Sequence, residues 1–203
     1  IAKNSLDFYI LKSEKKYLNF FKEGYATLKS TIFKNEAPEV IFRVIIKAIH
    51  FVSGEYYPPR SDSLKILMKN FSSKKFKSST LGGCLIEKNS NMISFFREDR
   101  NLTSETLDKI RQTKNWDDRF LVYKNFDNQQ KFIVKKLGNS GIDYLKKNKF
   151  ISSLDKIPVQ AKKTLPSFWN HKGELMFVPF INFKNKKYNI KNDSFAVRYL
   201  RFI

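Results

Sequence analysis

Nucleophiles, bases and metal ligands are scarce in this chain, and their neighbours argue against catalysis. Cys84, His50 and His171 are the only residues that could form a thiol–imidazole pair. Cys84 sits in the apolar run Leu81-Gly82-Gly83-Cys84-Leu85-Ile86 with no adjacent cation to favour a thiolate, so it reads as a core residue. One thiol excludes an internal disulfide, and with two histidines it is too little for a typical structural zinc site. The acids Glu98-Asp99 and Asp117-Asp118 have the chemistry to hold magnesium, but Arg97, Arg100 and Arg119 stand beside them, and ion pairing is the simpler reading. There is no Gly-x-x-x-x-Gly-Lys cradle, and the Ser-Gly steps at 53–54 and 140–141 lack the glycines that wrap a phosphate in backbone donors. What remains is the chemistry of cations and aromatic rings.

Lysine and arginine total 39 against 19 acidic residues, a formal net charge of +20 with a pI of about 9.9. Residues 131–203 are the most cationic, with 16 basic side chains and 4 acidic ones. Self-repulsion of this size destabilises a compact chain, and the usual compensation is attraction to a polyanion, where each cation at a phosphate displaces a condensed counterion. Nucleic acid is the expected partner. Proteome-wide drift toward Lys, Asn, Ile and Phe would also enrich lysine, but drift alone does not remove acids. An anionic membrane would require an amphipathic helix with a continuous basic face, which the pattern does not offer. The longest apolar stretch is broken by Arg43 and Lys47, so no spanning helix is expected. With 41% hydrophobic and 15% aromatic residues, the chain has the material for a core.

Several elements must position these groups. Leu6, Tyr9, Ile10, Tyr17, Phe20 and Phe21 recur at three- and four-residue spacings, predicting a helix over residues 2–22 that ends at Gly24, with a short extended stretch after it. Asn35-Glu36-Ala37-Pro38-Glu39 supplies a cap, a first-turn proline and acids for a second helix. Val40, Ile41, Val44, Ile45, Ala48, Ile49 and Val52 form its stripe, and Ser53-Gly54 ends it. Tyr56-Tyr57-Pro58-Pro59 holds Arg60 on a stiff extended arm before a third helix striped by Leu64, Leu67, Met68 and Phe71. Residues 72–79 read as a basic loop near the ligand. From Thr80 the period changes to two: 80–86 and 92–97 form a hairpin in which Gly82-Gly83 marks a bulge or a close backbone approach. Further strands are expected at 119–123, 132–137, 174–180 and 195–202, with short helices through Ile142 and Leu145 and after Pro158.

Five phrases, in order, carry a resemblance: Val52-Ser53-Gly54 with Tyr57-Pro58-Pro59-Arg60 and Leu64; Ser79-Thr80-Leu81-Gly82-Gly83-Cys84; Phe96-Arg97-Glu98-Asp99-Arg100-Asn101; Trp116-Asp117-Asp118-Arg119-Phe120; and Thr164-Leu165-Pro166-Ser167-Phe168-Trp169. Together they resemble the region that follows the catalytic domain in bacterial tRNA(Ile)-lysidine synthetase. In that family an ATP-pyrophosphatase domain, with a Ser-Gly-Gly-x-Asp-Ser loop, adenylates the wobble cytidine of the isoleucine tRNA, and lysine displaces AMP to give lysidine. That loop does not occur here, so the resemblance carries over no catalytic residue. It implies a role in holding tRNA, with the catalytic part expected before Ile1.

The resemblance and the charge agree. Phosphate contacts are expected from Arg43, Lys47, Arg60, Lys74, Lys75 and Lys77, and from Lys135, Lys136, Lys186, Lys187 and Arg198. Tyr56, Tyr57 and Trp169 are the rings that could stack on an unpaired base, with core packing as the alternative. The expected fold is α+β: a small helical tRNA-recognition domain ending in a β-hairpin region (1–124), then a mixed C-terminal tRNA-binding domain with antiparallel strands (125–203). Composition also allows the boundary to fall between Ser72 and Asn101. The reading is the tRNA-recognition portion of a cytoplasmic ATP-dependent ligase, inactive alone. It expects no cofactor or metal in this part, ATP and magnesium in the catalytic domain, tRNA, L-lysine and ATP as partners, no membrane, and leaves homodimerisation open. The alternative is a free-standing, non-catalytic RNA-binding module.

Overall fold

The computed structural model describes residues 2–73, 75–109, 111–125, 131–150, 154–188, 190 and 194–200. The chain divides into two compact units, Ile1–Glu98 and Asp99–Ile203. The first opens with helix α1 (Ala2–Tyr17), which stops five residues before the expected end at 22 and turns directly into strands β1 (Leu18–Phe21) and β2 (Tyr25–Lys29). Leu18 faces Leu28 and Phe21 faces Tyr25 across this hairpin. Gly24, at φ +85°, closes it, its N–H donating to the Phe21 carbonyl at 2.9 Å. The aromatic spacing that suggested a longer helix serves the sheet instead: Phe21 stacks on Tyr25 with centroids 4.1 Å apart, and Phe20 packs on Phe51 at 4.3 Å.

A short helix α2 (Ile32–Asn35) precedes α3 (Pro38–Ser53). Pro38 begins α3 and Gly54 ends it in the left-handed conformation, as the sequence signals require. The cap differs from expectation. Ala37 takes the N-cap position without a side-chain bond, while Asn35 belongs to α2 and donates to the Tyr17 hydroxyl at 3.3 Å. All seven residues of the predicted α3 stripe are buried. Helix α4 (Ser61–Phe71) buries Leu64, Leu67 and Phe71, and three strands follow: β3 (Ser78–Leu81), β4 (Cys84–Asn89) and β5 (Met92–Arg97). Ser78 and Ser79, read as loop, thus pair with β4.

Gly82-Gly83 is neither inside a strand nor a bulge. With φ of +57° and +72° it forms the two-residue turn between β3 and β4, Leu81 facing Cys84 across it. The five strands run in the order β1-β2-β5-β4-β3, every pair antiparallel, with α3 against the sheet. This unit is therefore α+β, where a helical domain was expected.

The second unit contains β6 (Glu105–Leu107), β7 (Gln112–Trp116), β8 (Phe120–Lys124), β9 (Phe132–Lys136), α5 (Gly138–Lys147), α6 (Val159–Lys163), β10 (Pro166–Asn170), β11 (Leu175–Val178), a 3-10 turn (Pro179–Ile181), β12 (Phe183–Lys184) and β13 (Phe195–Tyr199). They make two antiparallel sheets, β12-β11-β10-β9-β6 and β13-β8-β7. The division between units comes earlier than 124/125 because β6 pairs with β9, and β8 with β13, which binds residues 105–124 to the later chain. Ser140-Gly141 lies inside α5, Pro179 ends the strand expected to reach 180, and the end of the strand expected at 195–202 falls outside the described residues. Phe132, Phe168 and Phe177 converge on Phe195 with centroids 4.3–5.6 Å apart. Among the described residues no helix is long and apolar enough to cross a membrane.

Candidate nucleic-acid interface

In the first unit the residues that carry the family resemblance meet at the Gly82-Gly83 turn. A Cβ on Gly82 would lie 2.7 Å from Pro59 Cγ and 2.9 Å from Ile49 Cγ2, so the turn is seated against both α3 and the proline arm. Arg97 donates from Nη1 to the Gly83 carbonyl at 3.0 Å, and the Glu98 N–H reaches the same oxygen at 2.8 Å. Cys84 is fully buried beside this junction, its Sγ 3.7 Å from the Ile49 carbonyl, as a core residue should be.

The junction seats Pro59 of the arm and leaves the side chains of Tyr56, Tyr57 and Arg60 outside. Tyr56 and Tyr57 are 81% and 79% exposed, edge to face at 5.1 Å, and Arg60 is exposed at the N-cap of α4. Along the outer face of α4, Lys65 and Lys69 are exposed one turn apart, and Ile66 lies beside them, 62% exposed. Lys65 approaches Asp62 at 3.9 Å, a solvent-exposed contact of little weight. The sequence reading passed over Lys65 and Lys69, although their position opposite the Leu64–Leu67–Phe71 stripe was a usable signal. Lys75 and Lys77, beyond the end of α4, are exposed too, while Lys74 lies outside the described residues. Arg60, Lys75 and Lys77 have no ion-pair partner among the described residues. An 11-residue helix is about 16 Å long, so Arg60 and Lys69 are separated by a span covering several phosphates of an RNA strand.

Other expected contacts are already engaged. Arg43 donates to Glu39 at 2.7 Å, and Lys47 pairs with Glu14 of α1. In the second unit Lys136 holds the Asp99 carboxylate at 2.6 Å, and Lys187 holds Glu174 at 2.8 Å. Hydrogen bonds from Lys187, Tyr188 and Asn170 pull the Glu174 carboxyl down to about 2, so that pairing persists at neutral pH. Lys135 lies 4.3 Å from the centroid of Trp169. Trp169 itself is 5% exposed, its Nε1 donating to Ser167 Oγ at 2.8 Å, which makes it a packing residue and removes it as a stacking platform. Lys186 and Arg198 are exposed with no ion-pair partner among the described residues.

The Trp116–Phe120 and Thr164–Trp169 phrases also prove architectural. Asp117 and Asp118, at φ +54° and +48°, form the turn between β7 and β8. Arg119, fully buried, donates from Nε to Asp117 at 2.5 Å and from Nη2 to the Thr164 carbonyl at 3.1 Å, with its guanidinium 4.9 Å from the Phe120 ring. Asp118 accepts from Asn115 at 3.0 Å. Both acids are thus used within the fold. Among the described residues no three or more His, Cys, Asp or Glu side chains cluster to hold a metal.

No protein-family model matches the chain. Curated relatives do. The tRNA(Ile)-lysidine synthase of Rickettsia akari (strain Hartford) is 24% identical over 178 residues, covering 88% of this chain and 39% of that protein. The enzyme of the same name from Rickettsia bellii (strain OSU 85-389) is 24% identical over 172 residues, covering 85% and 38%. That of Wolbachia pipientis wMel is 27% identical over 105 residues, covering 51% and 24%. The chain spans less than two-fifths of the length of each of these relatives. It is a distant homologue of a region of tRNA(Ile)-lysidine synthase.

Proposed function

We propose that this chain is the tRNA-recognition portion of a tRNA(Ile)-lysidine synthase. It is a folded polycation that holds the tRNA body while lysine is ligated to the wobble cytidine of the isoleucine anticodon. The observation that carries the reading is the set of exposed groups on α4: Lys65 and Lys69 one turn apart on its outer face, and Arg60 with the open Tyr56-Tyr57 pair at its N-terminal end, within a chain homologous to a tRNA-modifying enzyme. Cations spaced along a rigid helix suit sequence-independent phosphate contacts, and exposed tyrosines suit an unpaired base. Such groups position a substrate; they break no bond. In this reading the ligase chemistry, with its ATP, magnesium and L-lysine, belongs to the portion of the relatives that this chain does not span.

The test is tRNA binding by the chain and by a triple variant, Arg60→Ala with Lys65→Ala and Lys69→Ala. All three side chains are exposed, so the variant should melt as the parent does. Its tRNA affinity should fall, and the slope of log K against log salt should lessen by about one for each phosphate that is no longer neutralised. Unchanged affinity would remove α4 from the interface.

A further inference from the structure

The second unit contains a cavity that the reading above does not use. It has a volume of about 630 Å³ and lies between the end of α5 and β12. We infer that it is a slot for one unpaired nucleotide of the bound RNA, a claim that rests on the RNA-binding reading and adds a site to it. Three rings line the slot. Phe183 is 5% exposed, while Tyr144 and Phe150 are half-buried and meet it edge-on, at centroid distances of 6.1 and 5.3 Å and interplanar angles of 80° and 76°. Asn185 anchors one wall: its amide donates to the Tyr144 hydroxyl at 3.1 Å and to the Leu175 carbonyl at 2.9 Å. The slot is therefore preformed, with a size suited to a single small ligand.

Its rim is cationic. Lys187 is held by Glu174, but Lys149 and Lys186 are exposed with no ion-pair partner among the described residues. Lys149 is also at an unusual place. The Lys149 N–H bonds to the Lys146 carbonyl at 3.0 Å and the Phe150 N–H to the Leu145 carbonyl at 2.9 Å, a helix-ending motif whose left-handed residue is ordinarily glycine. Here it is lysine at φ +59°. The same motif sets Phe150 into the slot wall and Lys149 at its rim. Half-buried Tyr144 and Phe150 over a Phe183 floor, with a cationic rim, match a nucleobase and its phosphate, whereas an acidic peptide would need the cations and not the rings. Bases in an A-form duplex are stacked away, so the nucleotide must be unpaired.

The experiment compares a blunt RNA hairpin with the same hairpin carrying a short single-stranded overhang, using the parent chain and the variants Phe150→Trp, Phe150→Ala and Lys149→Gly. The natural tryptophans Trp116 and Trp169 are buried, so a new fluorescence change reports the added ring. The overhang RNA should quench Phe150→Trp and bind the parent roughly tenfold tighter than the blunt hairpin, the order expected for stacking one base. Phe150→Ala should abolish that preference. Lys149→Gly should weaken overhang binding severalfold while melting no lower than the parent, because glycine suits the left-handed position. If both RNAs bind the parent equally, or if neither Phe150→Ala nor Lys149→Gly alters the preference, the slot is overturned and the RNA-binding reading stands. If neither RNA binds at all, that reading fails and the slot with it. Displacement of the overhang RNA by an acidic peptide at similar concentration would overturn the choice of ligand.

Discussion

Arg119 and Arg60 show how differently one residue type is used in this molecule. Arg119 is out of water, and its charge is answered by Asp117, the Thr164 carbonyl and the Phe120 ring. Removing one partner of a buried pair strands the other, so Arg119→Ala should cost about 3–5 kcal/mol in a urea titration. Arg119→Lys should not restore the loss, since an ammonium cannot reach both acceptors in a planar fork. A change under about 1 kcal/mol would show that the buried pair is dispensable. Arg60 touches no acid among the described residues and is open to solvent, the state in which a guanidinium can meet a phosphate. Both arginines stand in phrases that carry the family resemblance, and nothing in those phrases tells them apart. The acids beside Arg119 did suggest pairing. Its burial depends on Thr164, which lies 45 residues away in sequence.

At the scale of elements, the β3–β4 turn governs the first unit, because α3, the proline arm and β5 all close on it. Its two glycines should not be equivalent. A Cβ on Gly82 meets Pro59 and Ile49 at 2.7 and 2.9 Å, whereas one on Gly83 meets the movable tip of Arg97 at 3.0 Å. Gly82→Ala should therefore destabilise by about 1–3 kcal/mol from the left-handed backbone and the clash together, and by more than Gly83→Ala. Equal melting losses for the two would refute the seating of the turn on Pro59. Helix α3 was legible in the sequence because seven apolar positions share one face between a proline and a glycine. Strand β10 was not, because all five of its residues are buried and no alternation survives. Strand β1 was hidden for another reason: a few residues of helical spacing cannot be told from strand until the hairpin partner is known.

For the molecule as a whole, the net charge of +20 sets the expectation for binding. Of the cations expected at phosphates, five are exposed with no ion-pair partner among the described residues, and these, Arg60, Lys75, Lys77, Lys186 and Arg198, are shared between the two units. If each neutralises one phosphate, at about 0.7–0.9 in the slope of log K for tRNA against log salt, these five alone should give a slope of about 4, to which Lys65 and Lys69 of α4 should add. Equal binding in dilute and concentrated salt would end the electrostatic account. The amino-acid sequence by itself determined the sign and size of that charge and the lack of a glycine phosphate cradle, and with them the class of partner to expect, since these are sums and local patterns that no fold can alter. Only the tertiary structure decided which cations remain available. Lys136 is held by Asp99 at a sequence distance of 37 residues, Lys47 by Glu14 at 33, and Trp169 is inside the sheet. The physical reason is that a side chain's availability is set by its neighbours in space, and those neighbours come from helix packing and strand pairings that join distant parts of the chain.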